Sequence, residues 1–194
     1  LKDNRYICED GKPILVLYRP EIIDCLNSML DYWQTLAKDN GLPGISFVYQ
    51  HPSFYVYPQK DESRFDHYIE YQPTFARAVM MSQGHGFLRS IKREITVLAE
   101  KKLGIDIRHM ADNSLSKNDY DETWEAILKY KPGSKAYPGA FVDWDNTPRR
   151  SDKGSLYEGV TCDKFKRYMT EQVINAREKY KKDKLFLFAW NEWA

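Results

Sequence analysis

The chain has 194 residues, 42% apolar and 29% charged, the composition of a soluble globular protein with apolar material for one core. Lysine plus arginine number 29 against 28 for aspartate plus glutamate, so no net field directs the chain to nucleic acid, an acidic polymer or an anionic membrane. No stretch approaches the roughly 20 apolar residues of a membrane span, and no basic region followed by an apolar run opens the sequence.

Taken in order, Ile14 to Tyr18 is a short apolar run between Gly11-Lys12-Pro13 and Arg19-Pro20, the pattern of a buried strand. From Glu21 to Lys38 apolar residues recur at helical spacing, with Pro20 at the start and Asn40-Gly41 as the stop. Gly44 to Tyr49 gives a second strand, so strand, helix and strand form a parallel crossover. Gln50 to Glu62 is a tyrosine- and proline-rich loop, and Phe65 to Tyr71 a third strand ended by Gln72-Pro73. Phe87 to Lys102 has helical spacing between irregular connections at Gly84-His85-Gly86 and Asp112-Asn113-Ser114. A short helix follows over Asp121 to Tyr130, then a strand over Tyr137 to Asp145, a basic amphipathic helix over Asp163 to Lys181 and a final buried strand over Leu185 to Ala189.

This alternation predicts an α/β architecture over a single domain spanning residues 1–194. Polar and aromatic residues gather where strands end: Tyr18-Arg19, Tyr49-Gln50-His51, Glu70-Tyr71, Trp144-Asp145-Asn146 and Trp190-Asn191-Glu192-Trp193. Such clusters on successive strands are how a (β/α)8 barrel builds a site at its carboxyl face, whereas the glycine-rich turn of a dinucleotide-binding sheet is absent after the first strand. About five strands are legible, so the expectation is a partial TIM-type barrel, its carboxy-terminal strands and helices, within a longer protein.

The strongest constellation is Phe188 to Ala194, where an apolar strand runs into Asn191 and Glu192 between Trp190 and Trp193. A carboxylate leaving a low-dielectric wall for a cleft is fitted to exchange protons near neutral pH, which makes Glu192 the catalytic candidate, with Asn191 placed to orient a sugar hydroxyl. The alternative is a surface glutamate at a strand end. Trp144, Asp145, Asn146 and Arg149 form a second group; it reads as a binding turn for vicinal hydroxyls and an anion, or as a turn closed by aspartate bonding to the backbone. Tyr18 and Arg19 form a third, where the arginine is an inward contact or, by preference, a salt bridge fixing the helix start.

Fourteen tyrosines and five tryptophans suit sugar faces as well as a core, since a ring offers apolar stacking surface with a polar rim. His51, His67, His85 and His109 occur singly, without zinc-pair spacing, so no metal is expected; His51, directly after a strand, is kept as a site candidate. Cys8, Cys25 and Cys162 are too few and too widely spaced for a disulfide framework, which favours a reducing compartment. No nucleophile elbow, phosphate loop or kinase set occurs.

Gly11-Lys-Pro13 with the strand to Tyr18-Arg-Pro20, then Trp144-Asp-Asn-Thr-Pro-Arg149, then Ala189-Trp-Asn-Glu-Trp-Ala194, have the order and spacing of the WbsX-type glycosyltransferase family, and the chain resembles that family over essentially its whole length. The family is described as containing a domain similar to family 99 glycoside hydrolases, (β/α)8 barrels acting on mannosides. The resemblance implies an enzyme of bacterial surface polysaccharide (lipopolysaccharide O-antigen or capsule) biosynthesis that forms or cleaves a glycosidic bond. It implies an oligosaccharide or sugar donor and acceptor as partners, no cofactor, and a place in the cytoplasm or at the periphery of the inner membrane. Trp144, Trp190, Trp193, Tyr18 and Tyr71 would line the sugar site. In the related hydrolases a second glutamate follows three residues after the one Glu192 matches; that position falls just past Ala194, so the chain alone is expected to be inactive. The rival from another class is a non-catalytic carbohydrate-binding or scaffold module.

Overall fold

The computed structural model describes residues 1–51, 62–82 and 115–190, a mixed α/β arrangement. In chain order the elements are β1 (Cys8–Glu9), β2 (Lys12–Leu17), α1 (Leu26–Asp39), β3 (Ser46–His51), β4 (His67–Glu70), α2 (74–82), β5 (Ser116–Asp119), α3 (Tyr120–Lys129), β6 (Ala136–Tyr137), β7 (Gly139–Phe141), α4 (Thr147–Arg150), β8 (Ser155–Glu158), α5 (Cys162–Glu178) and β9 (Phe186–Phe188). They form two compact units, each assembled from separate stretches of the chain.

The first unit (Leu1–Phe75, Lys131–Ala140, Gln172–Phe186) holds a sheet of order β1-β2-β3-β4-β6. Asp10 and Gly11 both take positive φ, the two-residue loop that matches strand twist in a hairpin, and join β1 to β2 antiparallel. The other pairings are parallel, with Leu15 opposite Phe47, Tyr49 opposite Tyr68, and Ile69 opposite Tyr137. One face is covered by α1, whose Leu26, Leu30 and Ala37 pack with Leu17, Phe47, Tyr49 and Phe65 into a core. Gln34 on α1 fastens the start of β3, its amide donating to Ile45 O at 2.7 Å and its carbonyl accepting from Ile45 N at 2.9 Å.

The helix expected from Glu21 begins instead at Leu26. A single 3-10 turn, Pro20–Ile22, precedes it, and Ile23 is extended (φ −93°, ψ 110°), which turns its side chain onto the core. Gly41 (φ +78°) ends α1 as a left-handed residue after the cap. The strand expected over Tyr137 to Asp145 is divided at Pro138, which has no N–H to give to a ladder: β6 pairs with β4, while β7 pairs with β9. Beyond the proline, Gly139 lies so close to Glu70 that a Cβ there would stand 1.8 Å from the Glu70 carbonyl oxygen, so only glycine fits.

The second unit (Ala76–Tyr130, Phe141–Glu171, Leu187–Ala194) is organised around Trp124, fully buried between Phe141 (5.5 Å, 12°) and Tyr168 (5.6 Å, 6°). Tyr120 OH donates to Val142 O at 2.9 Å, and Asp121 ties α3 to α5 through Lys164 Nζ (2.6 Å) and Tyr168 OH (2.5 Å). Two strands of this unit, β5 and β8, pair in parallel and are not anticipated by the sequence pattern, because their residues are mostly serine, lysine, asparagine and acidic groups without apolar alternation. β9, expected to be buried, is half-buried along its length. The expected helix over Phe87 to Lys102, its flanking connections and most of the Gln50 to Glu62 loop lie outside the described residues. Among the described residues no helix is long and apolar enough to cross a membrane.

Candidate functional site

Parallel pairing puts the carboxyl ends of β2, β3 and β4 along one edge of the first unit's sheet. Tyr18 follows β2, His51 ends β3, Glu70 ends β4 and Tyr71 comes next. Tyr18 is 59% exposed, and its ring stands edge to face with that of Tyr71 at 6.1 Å, which brings two of the predicted binding residues together. Arg19 Nε donates to Glu21 Oε1 at 2.8 Å, an ion pair across the turn before α1, as the salt-bridge reading expects.

His51 sits differently from its neighbours at the edge. Its ring packs among Tyr49, Tyr68 and Phe75 at 5.4 to 5.9 Å, and burial holds its pKa below the usual histidine value, which favours the uncharged imidazole. Its strand neighbour Glu70 has no exposed surface at all. Tyr180 OH donates to Glu70 Oε2 at 2.6 Å while Oε1 has no hydrogen-bond partner among the described residues, and desolvation pushes the carboxyl up to about 8 against the lowering effect of Tyr180. Glu70 is therefore mostly protonated at neutral pH. Around it the buried Gln72, Gln172 and Asn175 continue a polar interior, with Gln172 Nε2 donating to Gly139 O at 3.0 Å. Glu70 is legible in the sequence as a strand-end residue, but its enclosure is not, because that depends on residues from Gln172 onward packing over it.

In the second unit the Trp144 to Arg150 turn runs antiparallel against β8: Tyr157 N–H donates to Trp144 O at 3.1 Å, and Asn146 N–H donates to Ser155 O at 3.2 Å. Asp145 Oδ1 accepts from Thr147 N at 2.8 Å, the aspartate-closed turn of the structural reading, and Asn146 Oδ1 accepts from Ser155 N at 2.7 Å. Trp144 is half-buried, and Arg149 lies on the exposed side of α4. After β9 the chain passes through Ala189 with φ +52°, a left-handed conformation unusual for a residue with a Cβ, and Trp190 emerges 69% exposed. Asn191, Glu192 and Trp193 lie outside the described residues.

The cysteines Cys8, Cys25 and Cys162 are free and exposed. Among the described residues no three histidine, cysteine or acidic side chains gather as a metal would require. At the strand ends the described residues offer a ligand ring surface, Tyr18 with Tyr71 in one unit and Trp190 in the other.

The whole chain is 22% identical to a protein named uncharacterized protein WxcX in each of two strains of Xanthomonas campestris pv. campestris, over 199 aligned positions. It spans about a quarter (25%) of the length of these curated relatives. No solved structure matches it. The sequence model of the family described as Glycosyltransferase WbsX matches residues 1–194, and the chain belongs to that family.

Proposed function

We propose that the chain supplies part of the sugar-handling face of a carbohydrate-active enzyme in bacterial surface polysaccharide biosynthesis, one that forms or cleaves a glycosidic bond. In this reading the parallel strands belong to a single (β/α)8 barrel domain, and the carboxyl edge of β2 to β4 is part of its mouth. The observation that carries it is the exposed Tyr18 ring set against Tyr71 at that edge, in a chain of a family named for glycosyl transfer. A ring fixed on one side and open on the other gives a pyranose a stacking surface. Glu192 takes the proton-transfer role, with Asn191, Trp193, Trp190 and Trp144 as binding residues beside Asp145, Asn146 and Arg149.

The test uses the full-length protein, assayed with a nucleotide-sugar donor plus acceptor and, separately, with an oligosaccharide alone. Turnover in the first assay identifies a transferase and in the second a hydrolase. Glu192→Gln is expected to lower kcat by about 100-fold or more, the usual contribution of a general acid or base, with sugar binding kept. The exposed rings of Tyr18 and Trp190 would serve a non-catalytic binding module equally. Sugar binding with no turnover in either assay, in wild type and variant alike, establishes that module instead.

A further inference from the structure

The second unit contains a cluster of hydrogen-bond donors around Arg77, apart from the rings at the strand ends. Arg77 on α2 reaches β5 and β8, donating from Nη2 to Ser116 Oγ at 3.2 Å and from Nη1 to Ser155 Oγ at 3.3 Å. Ser116 and Ser155 are register partners, so the two hydroxyls stand side by side under the guanidinium. Asn118 Nδ2 also donates to Ser155 Oγ at 3.0 Å, as well as to the backbone oxygens of Ser116 (3.2 Å) and Leu156 (3.0 Å). Ser155 Oγ thus accepts from two N–H groups, which occupies both lone pairs and leaves its own hydrogen to seek an acceptor. Ser116 Oγ is likewise an acceptor toward Arg77, and its hydrogen too is available.

Arg77 is half-buried, and among the described residues no carboxylate pairs with it. A partly desolvated guanidinium held by neutral hydroxyls is a charge awaiting a counter-charge, and its planar fork matches a carboxylate or phosphate. A cleft of about 300 Å³ opens beside it, lined by Arg77, Ser116, Asn118, Met80 and Met81, with Asp119 and Glu122 on its wall. That volume lies at the low end for small-molecule sites and is suited to a single sugar ring. Arg77 and Lys117 on this cleft are balanced by Asp119 and Glu122, so it carries no excess charge that would favour a highly charged anion, and the two acidic side chains can accept hydrogen bonds from hydroxyls.

We propose that this cleft is a subsite for one acidic sugar unit, whose carboxylate or phosphate oxygens are bound by Arg77 and the Ser116 hydroxyl while its ring hydroxyls donate to Asp119 and Glu122. The inference rests on the carbohydrate reading for the sugar and on the cluster itself for the anion. Full-length protein is titrated calorimetrically with glucuronic acid, glucose 1-phosphate and glucose. One or both of the acidic ligands should bind at least about 10-fold more tightly than glucose, the better of them identifying the carboxylate or the phosphate as the recognised group.

Arg77→Met should remove that preference, Arg77→Lys should weaken it because the fork is lost, and Ser116→Ala should reduce it several-fold. Equal binding of all three ligands overturns the subsite. So does an unchanged preference in Arg77→Met or, should that variant fail to fold, in both Arg77→Lys and Ser116→Ala. The two readings fail separately: loss of turnover in Glu192→Gln with an anion preference indifferent to Arg77 removes only the subsite, whereas Arg77-dependent binding with no turnover removes only the enzyme.

Discussion

Glu70 shows what enclosure does to a single acid. Its carboxyl is displaced from 4.5 to about 8 because it is wholly buried and, among the described residues, only Tyr180 donates to it. The folded state therefore holds a proton that the unfolded chain releases once the pH exceeds about 4.5. By linkage, the stability from this group is full below that value, declines as the pH climbs toward about 8, and is level beyond it. Each pH unit in that window is worth at most about 1.4 kcal/mol. Glu70→Gln keeps an acceptor for Tyr180 and removes the titration, so its melting temperature should exceed that of wild type at pH 8 and vary less between pH 5 and 8. Parallel pH profiles for the two proteins, measured by thermal denaturation, would show that Glu70 is ionised in the fold.

At the scale of elements, β5 passes into α3 with no connecting loop, because Asp119 is both the last strand residue and the helix cap, its Oδ1 accepting from Glu122 N at 2.8 Å. Asp119→Ala should cost about 1 kcal/mol in denaturant titration and Asp119→Asn much less, since asparagine caps equally well. A loss shared by both variants would place the cost in the charge and not in the cap. Which elements were legible beforehand follows the same physics. β2, β3, α1 and α5 are declared by apolar residues at the strand or helix period, but β5 and β8 carry Ser116, Asn118 and Ser155, whose pairing is decided by each other and by Arg77. The strand-end positions of Tyr18 and Trp190 are readable because each follows an apolar run. The packing of His51 against Phe75, and of Tyr180 over Glu70, is not, because each depends on a segment arriving from elsewhere in the chain.

For the whole molecule, neither unit is a continuous stretch: the chain leaves one for the other after Phe75, Tyr130, Ala140, Glu171 and Phe186. Four of these passages fall inside elements: Phe75 within α2, Ala140 within β7, Glu171 within α5 and Phe186 at the first residue of β9. A helix that contributes Tyr168 to one core and Gln172 to the interior of the other cannot unravel in only one of them without losing its own backbone bonds. Unfolding followed by tryptophan fluorescence, which is weighted to the second unit through Trp124 and Trp144, should therefore coincide with unfolding followed by far-ultraviolet circular dichroism. Two separated transitions would show the units to be independent. This interleaving also limits how the protein can be divided. A genetic break in the exposed turn at Ser151 to Lys153 leaves each fragment with pieces of both units, so neither half should hold structure alone, and regained structure on mixing would make the pair a reporter of proximity between whatever is fused to them.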